Sequence, residues 1–100
     1  VTTVYSPLAE ADLLEALRFL SERSPRAAAR VAERIFETVR RLEMGDFDGP
    51  EQTLAGGERV RSWPVPPWRV YYQRRGDALH IVRIYHHARR PMAQEPEEGT

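Results

Sequence analysis

Eight of the fifteen basic residues fall between positions 59 and 90, and every basic residue of the chain is an arginine. A guanidinium group clamps phosphate or carboxylate oxygens in a bidentate fork and stabilises charge that grows on phosphorus. His80, His86 and His87 share that stretch, and an imidazole can move a proton near neutral pH. Strand-like alternation along WRVYYQR sets Arg69, Tyr71 and Gln73 on one side, with Trp68, Val70 and Tyr72 on the other. Along ALHIVRIYH the same rule groups Leu79, Ile81, Arg83, Tyr85 and His87 against His80, Val82, Ile84 and His86. Arg59 and Arg61 share a face of the preceding segment. The pattern predicts a basic sheet face and lip that collect Arg59, Arg61, Arg69, one of His86 and His87, Arg89 and Arg90. Arginines around an imidazole would suit metal-independent cleavage of RNA through its 2′-hydroxyl. The same arginines can also keep a sheet soluble and discourage edge pairing. Trp63, Trp68, Tyr71, Tyr72 and Tyr85 could stack on bases, but core packing and edge cover are the favoured reading.

Other chemistries are excluded by composition. Without lysine there is no P-loop phosphate site, Schiff base or lysine general base. Without cysteine there is no disulfide, thiol nucleophile or cysteine-bound zinc. The three histidines lack a fourth ligand for zinc, His80 sits beside the Asp77 turn, and no carboxylate pair is placed for acid–base work. No cofactor and no metal are expected. The net charge is zero, yet residues 1–58 carry seven arginines against eleven acids, and residues 59–90 carry eight arginines against Asp77 alone. Glu95, Glu97 and Glu98 make the last ten positions acidic. Such asymmetry can attract a polyanion or an acidic protein segment.

The elements that must position these groups are legible in outline. One hundred residues with 41% hydrophobic content make one domain, expected over 1–90, with 91–100 as a loose acidic tail. No apolar run approaches a membrane span and no leader-like segment opens the sequence, so a soluble cytoplasmic domain is expected. TTVYS reads as a strand. Ser6-Pro7 and Ser24-Pro25 are two hydroxyl-cap-then-proline helix starts. The first helix has a stripe at Ala11, Leu14, Leu17 and Leu20. The second, to Met44, has one at Ala28, Val31, Ala32, Ile35, Val39 and Leu42, and Gly45 ends it. Residues 46–57 read as loop. Strands are predicted at 59–63, 68–74 and 78–86, with Pro64 breaking the first and the last strand central. The expected architecture is α+β: an N-terminal strand, an antiparallel two-helix hairpin and a three-stranded antiparallel segment, the helices packed on one sheet face.

The run RVRSWPVPPWRVYYQRRGDALHIVRIYHHARRP resembles the C-terminal half of the RelE/ParE toxins of bacterial type II toxin–antitoxin modules. Its Trp68-Arg69-Val70-Tyr71-Tyr72 strand, Gly76-Asp77 turn, Arg83-Ile84-Tyr85-His86 strand end and Arg89-Arg90 lip follow the family order, and YSPLAEADLLEALRFL is similar to its first strand and helix. The resemblance implies a growth-inhibiting, plasmid-stabilising toxin held in a hetero-oligomer by a cognate antitoxin. Two branches are implied. The ParE-like branch binds DNA gyrase, and the long hairpin with His86-His87-Ala88-Arg89 leans towards it. Arg59, Arg61, Arg83, His87 and Arg90 are then candidate target-binding residues. The RelE-like branch cuts mRNA on the ribosome; Arg69, His86 and Arg89 are its candidate catalytic residues, although the family's C-terminal tyrosine has no counterpart here. A degenerate, non-toxic binding module is a third reading, so enzymatic activity stays open.

Overall fold

A computed structural model describes residues 2–87. The expected tail over 91–100, and Arg89 and Arg90, lie outside the described residues. The order is β1 (Thr2–Tyr5), α1 (Pro7–Arg23), α2 (Pro25–Met44), β2 (Glu51–Thr53), β3 (Arg59–Val65), β4 (Trp68–Arg75) and β5 (Ala78–His86). Both helices start where the caps predict. The Ser6 hydroxyl accepts from the Ala9 amide at 3.0 Å, and the Ser24 hydroxyl accepts from the Ala27 amide at 3.2 Å. Each fills one of the amide vacancies at a helix start. Gly45 ends α2 in the left-handed region at φ 80°, a conformation that disfavours any side chain.

The five strands form one sheet in the order β1-β5-β4-β3-β2. β1 runs parallel to β5 and the other neighbours are antiparallel. The helix pair covers one face. Ala9 and Ala16 of α1, and Val31, Ile35, Val39 and Leu42 of α2, pack on Val65, Val70, Tyr72, Leu79, Ile81 and Ile84. Each large aliphatic buried this way contributes about 1.5–3 kcal/mol of transfer free energy. The opposite face carries a smaller cluster of Val60, Tyr71 and Tyr85 with Leu54 and Val82, and no helix residue belongs to it. The fold is α+β with its helices on one face, as the sequence predicts.

Several details differ. The segment 51–53, expected as loop, is a short edge strand paired with β3. It is polar and is held by backbone pairing, so it carries no hydrophobic period. Pro64 does not break β3. The Ser62 amide points outward to the Pro50 carbonyl, so Pro64, two residues on, also faces outward, beyond the end of β2. A missing amide costs nothing at that position. β5 lies between β1 and β4, leaving β4 as the middle strand. The register slips by one residue at Tyr71/Tyr72, where Tyr71 faces Arg83 and Tyr72 faces Ile81. Val82 is thus the extra residue of a bulge, and strict alternation fails beyond it. Ile81 and Ile84 both face the helices, while Val82 and Tyr85 share the opposite cluster.

The stripe of α1 is also rotated from the expected one. Ala9, Leu13, Ala16 and Leu20 face the sheet, while Leu14 is 65% exposed. Leucine surrounds much of this helix, so hydrophobicity alone does not fix its rotation. Asp12 does. Its carboxylate accepts from Arg83 Nε at 2.8 Å, from Arg83 Nη2 at 3.0 Å and from the Ile84 amide at 2.9 Å. Both side chains are largely buried, at 22% and 13% exposure for Arg83 and Asp12. We expect Asp12→Ala to lower unfolding free energy by about 2–3 kcal/mol in denaturant titration, since it strands a buried guanidinium and an amide. In a double-mutant cycle with Arg83→Ala the two losses should be strongly non-additive.

Candidate functional site

The arginines predicted to share one basic face are divided by the fold. Arg69 stands on the open face, where β4 alternation sets it with Tyr71, and its register partners are Pro64 on β3 and Tyr85 on β5. Arg59 and Arg61 alternate with Val60 and so point to the helix side of the sheet. Arg61 pairs across from Tyr72, a residue of the main core. These two arginines are therefore not brought together with Arg69. The phase between β3 and β4 is set by the register across residues 66–67, which composition does not reveal.

Acids meet most of these cations. Arg59 Nη2 lies 2.7 Å from Glu51 Oε1. Arg61 lies 3.6 Å from Asp48 and 3.8 Å from Glu51, and it donates to the Gly49 carbonyl at 2.7 Å. Arg74 lies 3.3 Å from Asp48. Arg83, a candidate target contact by sequence, is held by Asp12 and lies over the Tyr85 ring at 4.4 Å. That carboxylate, with its hydrogen bonds, pushes the Arg83 pKa up. Arg83 therefore serves to hold α1 on the sheet.

The histidines are separated as well. His86 pairs with Trp68 on the helix side, the two rings meeting edge-on at 5.0 Å. His80 pairs across from Gln73. His87 is exposed just past β5, its amide donating to the Pro67 carbonyl at 2.7 Å. Among the described residues no cluster of potential metal ligands occurs.

Arg69 differs from its neighbours. Its Nη1 donates to Ser62 Oγ at 2.7 Å, and that hydroxyl donates to Gln52 Oε1 at 2.9 Å. Ser62 is completely buried. Gly49 presses against it so closely that an added Cβ would lie 1.7 Å from the Ser62 carbonyl oxygen. No carboxylate approaches Arg69 among the described residues.

A family profile described as the ParE toxin of type II toxin–antitoxin systems, parDE, matches residues 3–91. The chain belongs to the ParE toxin family. A solved chain from the chromosomal ParDE system of P. aeruginosa superposes with a TM-score of 0.68 at 21% identity, covering 86% of this chain and 95% of that one. At that identity the likeness shows the shared fold. No curated protein sequence matches.

In this ParE-family chain, sequence reasoning missed the groups that neutralise the arginines: Asp12, Asp48 and Glu51. It also missed Ser62 and Gln52, whose neutral side chains give no signal outside a known register. Asp48, in the loop after α2, accepts a short hydrogen bond from the Tyr72 hydroxyl, which itself accepts from the Gly49 amide at 2.7 Å. Burial alone would raise the Asp48 pKa; the Tyr72 hydroxyl, Arg74 and Arg61 outweigh it and hold it below the usual value. Burial, with help from the same Asp48 bond, pushes Tyr72 from 10.0 to about 12. The favoured neutral phenol therefore stabilises the fold fully below its unfolded pKa, and that contribution is lost as pH rises through about 12. Phenolate absorbance should show Tyr72 titrating near that pH, and earlier in Asp48→Asn.

Proposed function

We propose that this chain is the toxin of a type II module that stops growth in the cytoplasm by binding a protein, with DNA gyrase as the target the family resemblance implies. A cognate antitoxin neutralises it in a hetero-oligomer. The observation that carries the protein-target reading is the separation of Arg59, Arg61 and His86 from Arg69. A ribonucleolytic set needs several phosphate clamps beside its proton shuttle, and Arg59, Arg61 and His86 lie on the other side of the sheet from Arg69. Arg59 and Arg61 are also occupied by Glu51 and Asp48.

The helix hairpin supports the antitoxin half of the reading. Leu8, Leu14 and Phe19 of α1, and Phe36 and Met44 of α2, remain solvent-facing large apolar side chains. That is the kind of surface on which an amphipathic or extended segment orders as it binds. No described helix is long and apolar enough to cross a membrane.

Induced expression should block DNA supercoiling while transcripts stay intact. Codon-phased cuts in mRNA with normal supercoiling would establish the RelE-like reading instead, and unaffected growth with folded protein would establish the non-toxic module. Leu14→Glu and Phe36→Glu should each weaken antitoxin capture about tenfold in a titration. Both positions are exposed, so the thermal midpoint of the free toxin should change little.

A further inference from the structure

We propose that Arg69 is the receptor for a single carboxylate side chain of the toxin's protein target, on the sheet face turned away from the helices. The proposal rests on the protein-target reading above. Arg59, Arg61, Arg74 and Arg83 each lie within 4 Å of a carboxylate. Arg75 donates twice to Gln73, at 2.6 and 3.0 Å, and is exposed near the Gly76 turn. Arg69 alone in this set is half-buried and meets no acid among the described residues.

A half-buried guanidinium without a counter-ion keeps its full charge and its remaining N–H donors for a partner. Here its orientation is also fixed. Ser62 is fully buried and spends its own proton on Gln52, so its oxygen can only accept from Arg69. A guanidinium has five N–H donors, and the bond to Ser62 is the only one it makes to a described residue. The cradle is neutral, so it aims the charge without cancelling it. On either side stand Pro64 and Tyr85, its register partners, which frame the site with apolar surface.

These pairings favour a protein carboxylate over a nucleic acid. A phosphate backbone is held by several cations at once, and the other arginines of this sheet already have partners. Stacking on bases needs open aromatic faces, whereas Tyr71 and Tyr85 are only 4% and 9% exposed. One directed fork on a partly apolar face matches one aspartate or glutamate at the centre of a protein interface.

The test is an NMR titration of the Arg69 side-chain Nε–H in the full chain. The probes are a capped Ala-Glu-Ala peptide, its Ala-Gln-Ala counterpart and a uridine hexanucleotide. We expect a saturable shift with the glutamate peptide and none with the glutamine peptide. That response should vanish in Arg69→Gln, judged by a backbone amide of Tyr85, and weaken about tenfold in Ser62→Ala, which keeps the charge but releases its aim. Absence of a saturable shift overturns the proposal, as does tighter binding of the hexanucleotide. If the peptide binds only after Glu95, Glu97 and Glu98 are changed to glutamine, the chain's own carboxylates fill the site, and the assignment to a target is overturned. Purified gyrase should bind the Arg69→Gln chain about tenfold more weakly than the wild type. Failure of the wild-type chain to bind gyrase removes gyrase as the target, and the peptide titration still decides the site.

Discussion

β1 stops at Tyr5, opposite Ile81, yet β5 continues to His86. The second half of β5 therefore has an edge with no strand beside it, and bare amides at a sheet edge invite unwanted pairing. This protein covers that edge with the start of α1. The Ser6 amide donates to the Ile81 carbonyl, the Ser6 hydroxyl donates to the Val82 carbonyl, and Asp12 takes the Ile84 amide together with the Arg83 fork. Ser6 thus both caps the helix and joins it to the sheet. The bulge at Val82 changes the phase of β5 so that Ile84 faces the core, while Arg83, across from Tyr71, still forks onto Asp12. The rotation of α1, the phase of the longest strand and the division of the sheet into two faces all depend on this junction.

The acidic first half and basic second half of the sequence acquire a different meaning once folded. Asp12 meets Arg83, Asp48 meets Arg61 and Arg74, and Glu51 meets Arg59. The asymmetry along the chain records which distant segments are neighbours. Among the described residues it does not describe a broadly positive surface. The exposed pairs at Glu51 and Asp48 each contribute little, about 0–1 kcal/mol, because water screens them and long side chains must be ordered. Their effect is on position and on net field. Only the Asp12–Arg83 pair, shielded and bidentate, carries substantial stability.

Local rules were enough for the helices. Serine followed by proline marked both starts, and a glycine marked the end of α2, because capping is a contact between near neighbours. The stripe of α2 was equally clear, since arginine and glutamate fill its other side. α1 was harder because Leu8, Leu14 and Phe19 leave it apolar in several directions, and a long-range bond at Asp12 chose among them. The face of Arg69 followed from simple alternation within β4. The faces of Arg59, Arg61 and His86 did not follow, since they depend on register across a turn and on a bulge, neither of which leaves a mark in composition. β2 escaped notice for a related reason: three polar residues at an edge are defined only by the strand they join.

The two-layer arrangement also constrains the neutralisation proposed above. The exposed apolar side chains lie on the helices, while Arg69 lies on the far side of the sheet. A segment seated on the hairpin alone leaves Arg69 accessible. Direct competition requires it to continue round an edge of the sheet, and about ten extended residues span about 30 Å, enough to pass from one layer to the other. The alternative is coupling through the α1–β5 junction, where Asp12 holds the backbone of a strand that borders the open face. Those routes differ physically. Wrapping makes inhibition depend on the length of the antitoxin segment, whereas coupling makes it depend on Asp12 and Arg83. The coupling route runs from Asp12 through Arg83 and Tyr85 to Arg69, since Arg83 lies over the Tyr85 ring at 4.4 Å and Tyr85 is the register partner of Arg69.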